Sequence, residues 1–332
     1  MTLSGPRKHC PTCSKPMQHW GRHPSGSRRW RCQDCGKNAV RKRKDNREKT
    51  RLSLFVHWLK SKDTLTEVSR NIGVSRQTLN EWFRPFWGKP PEPQIKGRVR
   101  VLVIDGTSVV PRQLTLLIAG NSDNHQPVSW VSVFHECYDQ WLLFLSDLSW
   151  KGLTPKYVVG DGQRGLIKAI HAVWPRAKIQ RCLIHVVRQA KIWLTQKPQT
   201  KAGRELLALV KQLSQIQSKR QKRRWIRSFR SWRKRNRTFL KERSYGPGGN
   251  WWYTHRRLRG TSSLIKNSLP DLFRYVTDPT VPKTSNHVEG GLNARIQELF
   301  RCHRGLSPKR KLVLAAWYLA LRQGQKPTRK FT

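Results

Sequence analysis

Acidic side chains are scarce: the chain carries 19 Asp+Glu against 67 Lys+Arg in 332 residues, a formal net charge of +48. So large an excess of one sign repels itself unless a polyanion neutralises it, and nucleic acid is the commonest polyanion in a cell. Charge alone proposes that partner and says nothing about catalysis. Long apolar runs are missing as well. The longest, Leu312 to Leu321, has ten residues, against the roughly 18–20 that a bilayer crossing needs, so no membrane partner is expected. Met1 to Cys10 is charged and lacks the apolar centre of a secretory signal, which predicts an intracellular, reducing compartment. There, seven cysteines point to metal before disulfides. Tryptophan is plentiful: 15 residues, within 36% hydrophobic content, supply a real core and exclude disorder of the whole chain.

Four blocks follow along the chain. A Cys/His-rich head is assigned to 1–45, a short helical unit to 46–88, a Pro-rich linker to 89–98 and an alternating strand-and-helix region to 99–330. In the head, Cys10-x-x-Cys13 and Cys32-x-x-Cys35 are separated by 18 residues, the spacing of a four-cysteine zinc site with a small hairpin carrying Trp30 between its two knuckles. Closed four-thiolate sites are structural, so this Zn2+ folds the head and does no chemistry. The block Arg41-Lys42-Arg43-Lys44 that follows is either a phosphate contact or a solvated linker. In the second block, Thr64 and Glu67 form a capping-box pattern ahead of Leu65, Val68 and Ile72, and Gly73 breaks the helix. Ser75 then caps a second helix with Leu79, Trp82 and Phe83 on one side and Arg76, Gln77, Asn80 and Glu81 on the other. This reads as a helix-turn-helix whose second helix addresses base edges in double-stranded DNA; the competing reading is a helical hairpin packed on the body.

In so basic a chain, acids at strand ends stand out, because an unpaired carboxylate there needs a cation or solvent. Val99 to Ile104 is a β-branched run that ends at Asp105-Gly106, and Lys156 to Val159 ends at Gly160-Asp161-Gly162. Each is predicted to place its Asp at the C-terminal tip of a strand. Gln113 to Ala119, Val128 to Phe134 and Lys178 to Gln180 read as further strands, and Asp139 to Trp150 and Leu166 to Trp174 as helices. The order suits an α/β fold, a mixed sheet with helices packed on it. Near the C-terminus, Ser285 can cap a helix with Val288, Leu292, Ile296 and Leu299 on its apolar side and Asn286, Glu289, Asn293 and Gln297 on its polar side. If Asp105, Asp161 and Glu289 converge, they make an oxygen-ligand cage for two Mg2+ (or Mn2+) ions suited to phosphodiester displacement. Lys201 to Arg243 carries 16 Lys/Arg with Trp225, Phe229 and Trp232 at helical spacing, which turns aromatics to a core and bases to phosphate. Trp251-Trp252-Tyr253 reads as a further core cluster.

Asp105-Gly106-Thr107, Gly160-Asp161-Gly162, Cys182-Leu183-Ile184-His185 and Ser285-Asn286-His287-Val288-Glu289-Gly290, in this order, resemble the Asp-Asp-Glu transposases of bacterial insertion sequences, and among these the Mutator-like class in a variant with an N-terminal zinc ribbon. The resemblance implies a ribonuclease-H-like catalytic core with an all-helical insertion at about 190–280. It also implies that Asp105 contacts both metals while Asp161 and Glu289 hold one each. Cys182-x-x-His185 matches a motif of that class; it reads as active-site support or as a packed cysteine and a satisfied histidine. The implied function is DNA transposition: binding of terminal repeats, nicking to free a 3′-hydroxyl and transfer of that strand to target DNA. A homodimer on DNA and a cytoplasmic, nucleoid-associated location are expected with it. The alternatives are a non-catalytic DNA-binding regulator derived from a transposase, and a structure-specific nuclease that joins nothing.

Overall fold

The computed structural model describes residues 8–24, 26–40 and 44–325; of the basic block at 41–44, Arg41, Lys42 and Arg43 lie outside the described residues. The chain divides into two compact units, Met1–Gly88 and Lys89–Thr332.

In the first unit, β1 (Gln18–Arg22), β2 (Arg28–Arg31) and β3 (Asn38–Val40) form an antiparallel sheet in that order. Trp30 pairs with His19 on one side and Ala39 on the other. The two cysteine knuckles are built alike: the Cys10 and Cys32 amides donate to Lys15 O and Lys37 O, at 2.8 and 3.0 Å. Three helices follow: α1 (Lys44–Lys60), α2 (Leu65–Asn71) and α3 (Arg76–Gly88). The Thr64–Glu67 capping box is present at α2, and Thr78 N donates to Ser75 Oγ at the start of α3. α1 supplies the packing partner, since its Phe55 ring sits 5.2 Å from both Phe83 and Phe86. Ile72, expected on the apolar side, is exposed, because α2 ends before it and Gly73 takes a left-handed φ of +69°.

In the second unit, β4 (Val101–Val110), β5 (Leu114–Asn121), β6 (Pro127–Val133), β7 (Tyr157–Gly160) and β8 (Lys178–Arg181) form one sheet in the order β6-β5-β4-β7-β8. The pairs β4–β5 and β5–β6 are antiparallel, and β4–β7 and β7–β8 parallel. α4 (Tyr138–Trp150) and α5 (Arg164–Val173) close a core on one face with Leu102, Ile104, Leu117, Ala119 and Val158. Side chains alternate across a strand, so Asp105 and Thr107 face the other way. That opposite face receives a π-helical turn (His287–Asn293), which runs on into α11 (Ala294–Cys302), the counterpart of the expected Ser285-capped helix. Ser285 does not cap it through its side chain; the turn is wound loosely across Gly290-Gly291, and Asn286 precedes it without a side-chain cap. α12 (Pro308–Arg322) is the last helix of the described residues.

Between β8 and that turn, α6 (Leu183–Leu194), α7 (Lys201–Gln212), α8 (Lys219–Arg235), α9 (Arg256–Ser268) and the short α10 (Arg274–Thr277) enclose a separate core. This layer is not all-helical. Arg243–Tyr245 and Trp251–Tyr253 pair as an antiparallel hairpin, β9–β10, because two aromatic β-forming runs flank a Gly-Pro-Gly-Gly tip. Trp251 and Trp252 are each 45% exposed, so this cluster is surface and not core. Gln180 rivets the layer to the sheet: its buried amide donates to Leu272 O at 3.0 Å and accepts from Arg274 N at 2.8 Å.

The Pro-rich stretch at 89–98 is irregular but is not a free spacer. Gln94 N donates to Gln323 Oε1, Gln323 Nε2 donates back to Gln94 O, and Gln325 Nε2 donates to Glu92 O. Prolines leave their neighbours' carbonyls without strand partners, and the glutamine amides after α12 take two carbonyls of this stretch. Among the described residues, no helix is long and apolar enough to cross a membrane.

Candidate metal centre and nucleic-acid surface

Asp105 does not end its strand. β4 runs five residues further, and Asp105 pairs with Ile118 of β5. The run stays extended because β5 continues alongside, which the apolar pattern of one strand cannot reveal. On its other edge the parallel pairing with β7 covers only Val101 to Val103, so toward β7 Asp105 lies just past the end of the ladder. Asp161 directly follows β7, and its Oδ1 accepts the Gln163 amide at 2.8 Å.

Asp105 is 9% exposed. Burial pushes its carboxyl up to about 7; His185 opposes the shift, while Glu289, Asp161 and Glu136 add to it. Asn293 Nδ2 donates to Asp105 Oδ2 at 2.6 Å. One helical turn on, Gln297 Nε2 donates to Thr107 Oγ1 at 2.9 Å and to Ser108 O at 2.6 Å, so the polar face Glu289-Asn293-Gln297 lies along β4. Glu289 is held through one oxygen, with Arg188 Nη1 donating to its Oε1 at 2.8 Å. Its Oε2 is buried without a hydrogen bond and faces His185 Nε2 at 3.8 Å.

The charges of Glu289, Asp161 and Glu136 thus all bear on the buried Asp105 carboxyl, which the Asn293 amide orients while Asn293 Oδ1 stays buried without a partner; carboxylate and amide oxygens are the donors that a hard divalent cation takes. Sequence reasoning missed four members of this neighbourhood. Glu136, between β6 and α4, has its carboxyl raised by burial and by the Asp161 charge, and lies where a Cβ on Gly106 would collide with it. Gln163 reaches from Asp161 to the Glu136 carbonyl, 3.1 Å from its Nε2. Arg181 donates to Gly162 O at 2.8 Å, and Arg188 holds Glu289. Acid scarcity was the available signal for Glu136; the others follow only from the packing of α5, α6 and β8.

Cys182 closes β8 and starts α6, and His185 lies in the first turn of that helix. A sulfur of Cys182, a ring nitrogen of His185 and a carboxylate oxygen of Glu289 lie within 4.8 Å of one another. Burial acts to raise the Cys182 thiol, but His185 and Ser285 beside it outweigh burial and hold it below its ordinary value.

In the first unit, Cys10, Cys13, Cys32 and Cys35 gather as the spacing predicts. Sulfur separations are 3.5 Å for Cys10–Cys35, 3.4 Å for Cys13–Cys32 and 3.6 Å for Cys13–Cys35. Four thiolates about 2.3 Å from a tetrahedral ion stand about 3.8 Å apart, so the group can hold structural zinc with little adjustment. Arg76 and Gln77 are exposed on α3 and Asn80 is half-buried there. On α8, Trp225 and Trp232 are buried and donate their indole N–H groups to Leu209 O and Ala202 O, while Arg223, Arg224, Arg227 and Arg230 face solvent. On the hairpin, Arg243 stacks over Trp251 at 4.0 Å and Arg259 over Tyr253 at 3.8 Å.

Comparison with known proteins locates a related segment. The family model of the Mutator family of transposases matches residues 101–239, from β4 into the insertion and short of Glu289. A protein of Corynebacterium diphtheriae named "Probable transposase for insertion sequence element" is 29% identical over 114 residues, covering 32% of this chain and 33% of that protein. The similarity thus spans about a third of the curated relative.

Proposed function

We propose that the chain, whose residues 101–239 match the family model of the Mutator family of transposases, is a DNA transposase that binds the ends of its mobile element, nicks DNA to free a 3′-hydroxyl and joins that strand to target DNA. The observation that carries this reading is the buried Asp105, raised to about 7 amid Asp161, Glu289 and Glu136 and oriented by Asn293. The sheet order, three antiparallel strands extended by two parallel ones, supports a ribonuclease-H-like core. In this reading Asp105, Asp161 and Glu289 hold two magnesium or manganese ions. Such a pair, when bound, activates the attacking oxygen and stabilises the leaving one.

The chain's own residues position and bind. Asn293 holds Asp105, the Gln163 amide holds Asp161 and Arg188 fixes one oxygen of Glu289. The exposed arginines of α8 take backbone phosphates, and the exposed tryptophans of the hairpin offer stacking surface. Arg76, Gln77 and Asn80 on α3 read base edges in the manner of a helix-turn-helix, and the four-cysteine group carries structural zinc. Two element ends must be held together for joining, so the working form is a homodimer on DNA.

The test is an assay on labelled DNA bearing the gene's own flanking ends, with magnesium or with EDTA, alongside Glu289→Gln. Magnesium-dependent nicks and joined strands, both lost in the variant, are expected. Nicks without joined strands would make the protein a nuclease, and tight binding without cleavage in any divalent metal would make it a regulator.

A further inference from the structure

We propose that Cys182, His185 and Glu289 form a binding site for one zinc-class ion, and that filling it withdraws Glu289 from the hard-cation cage beside it. Three kinds of donor meet here: a thiol sulfur, an imidazole nitrogen and a carboxylate oxygen, all within 4.8 Å. Magnesium avoids thiolate ligands, whereas zinc and cobalt accept this mixture and commonly take three protein ligands with one position left open.

The site is built before any ion arrives. Cys182 is fully buried, and its amide donates to Gly160 O at 2.7 Å, beside Asp161. The segment leading to Glu289 is fastened to the same point twice: Leu183 N donates to Lys283 O at 3.1 Å, and Ser285 N donates to Cys182 Sγ at 3.4 Å. A backbone donor aimed at the sulfur favours the thiolate that a metal needs. Glu289 Oε2 is buried without a hydrogen bond and faces His185 Nε2 at 3.8 Å, and a cation set between them would satisfy that oxygen. The His185 and Glu289 side chains keep 26% and 22% exposure, which leaves a path from solvent.

Competition follows from the two oxygens of Glu289. Oε1 is taken by Arg188, so Oε2 is the oxygen that either the thiol-side ion or the cage beside Asp105 can use. The same oxygen serves one of them at a time. This second half rests on the reading of Asp105, Asp161 and Glu289 as magnesium ligands; the zinc site itself does not.

The experiment uses the full chain, dialysed against excess zinc and then buffer, with bound zinc counted by elemental analysis. Two ions per chain are expected, one for each of the two ligand groups, and one ion in Cys182→Ser and in His185→Asn. The pair of variants guards against a folding failure in either, and circular dichroism checks both. Protein whose weaker site has been emptied with a mild chelator should gain a thiolate-to-cobalt absorption band on adding Co2+, absent from Cys182→Ser. One zinc per chain in the wild type, or an unchanged count and band in the variants, would overturn the site. In the cleavage assay zinc should inhibit against a fixed magnesium concentration, and inhibition of His185→Asn should need about tenfold more zinc or beyond. A filled site with uninhibited cleavage would overturn the competition. Absence of cleavage at any metal, with the zinc count intact, would instead count against the transposase reading.

Discussion

Asp105, the centre of the proposed chemistry, is also a liability to the fold, because a buried carboxylate with three acidic neighbours gains little from ionising. Replacing it with Asn removes both the chemistry and the penalty. Asp105→Asn is expected to lower nicking by about 10²-fold or more, to keep DNA binding, and to raise the stability of the metal-free protein by on the order of 1 kcal/mol; cleavage rates and thermal melts check the two halves. Magnesium should raise the melting temperature of the wild type and leave that of the variant nearly unchanged, since only an ion bound to the native state stabilises it. Asp278 behaves in the opposite sense. Hydrogen bonds from Thr280 and the Arg100 guanidinium, 3.1 Å away, hold its carboxyl well below the usual range. A depressed native pKa gives stability that is present above the unfolded value near 3.9 and lost as pH falls through and below it. Asp278→Asn should therefore melt below the wild type at pH 6, with the gap narrowing as pH falls below about 3.9.

Among the elements, α8 shows most plainly how much a periodic pattern can tell. Trp225, Phe229 and Trp232 recur at helical spacing and are all buried, and the intervening arginines are outside. Trp232→Ala should cost about 3–5 kcal/mol in a denaturant titration. Changing Arg223, Arg227 and Arg230 together to Ala should leave stability alone and reduce the salt slope of DNA binding by about 2–3. Trp251 and Trp252 offer no such period: adjacent aromatics look alike whether they fill a core or stand on a hairpin, and only the glycine-rich tip beside them hints at the second. The same limit hid Glu136. It sits in Phe134-His135-Glu136-Cys137, a stretch without period, and gains meaning only when the chain brings it over Gly106. Asp105, Asp161 and Glu289 stand out in the sequence because acids are rare here and each adjoins glycine. That Asp105 lies mid-strand was not legible, because the length of β4 is set by its partner β5.

At the scale of the whole molecule, the positive charge is carried by both units, and of the few acids Asp161, Glu136 and Glu289 act on the buried Asp105. The first unit has a four-cysteine group that can hold a metal of its own. Cys13→Ser should lower the zinc content by one ion per chain and unfold the three-stranded head, read by elemental analysis and by loss of end recognition, with the second unit still melting as before. That independence depends on where the second unit begins. The stretch at 89–98 is bonded through Gln94 and Glu92 to Gln323 and Gln325, so the first and last described residues of the second unit meet at one place. A fragment cut at Val99 discards one side of that clasp and should melt below a fragment cut at Lys89 by about 1–3 kcal/mol. Because the ends meet, a circularly permuted second unit, with 89 and 325 joined by a short loop and new ends opened at the 246–250 hairpin tip, should fold with the same sheet order.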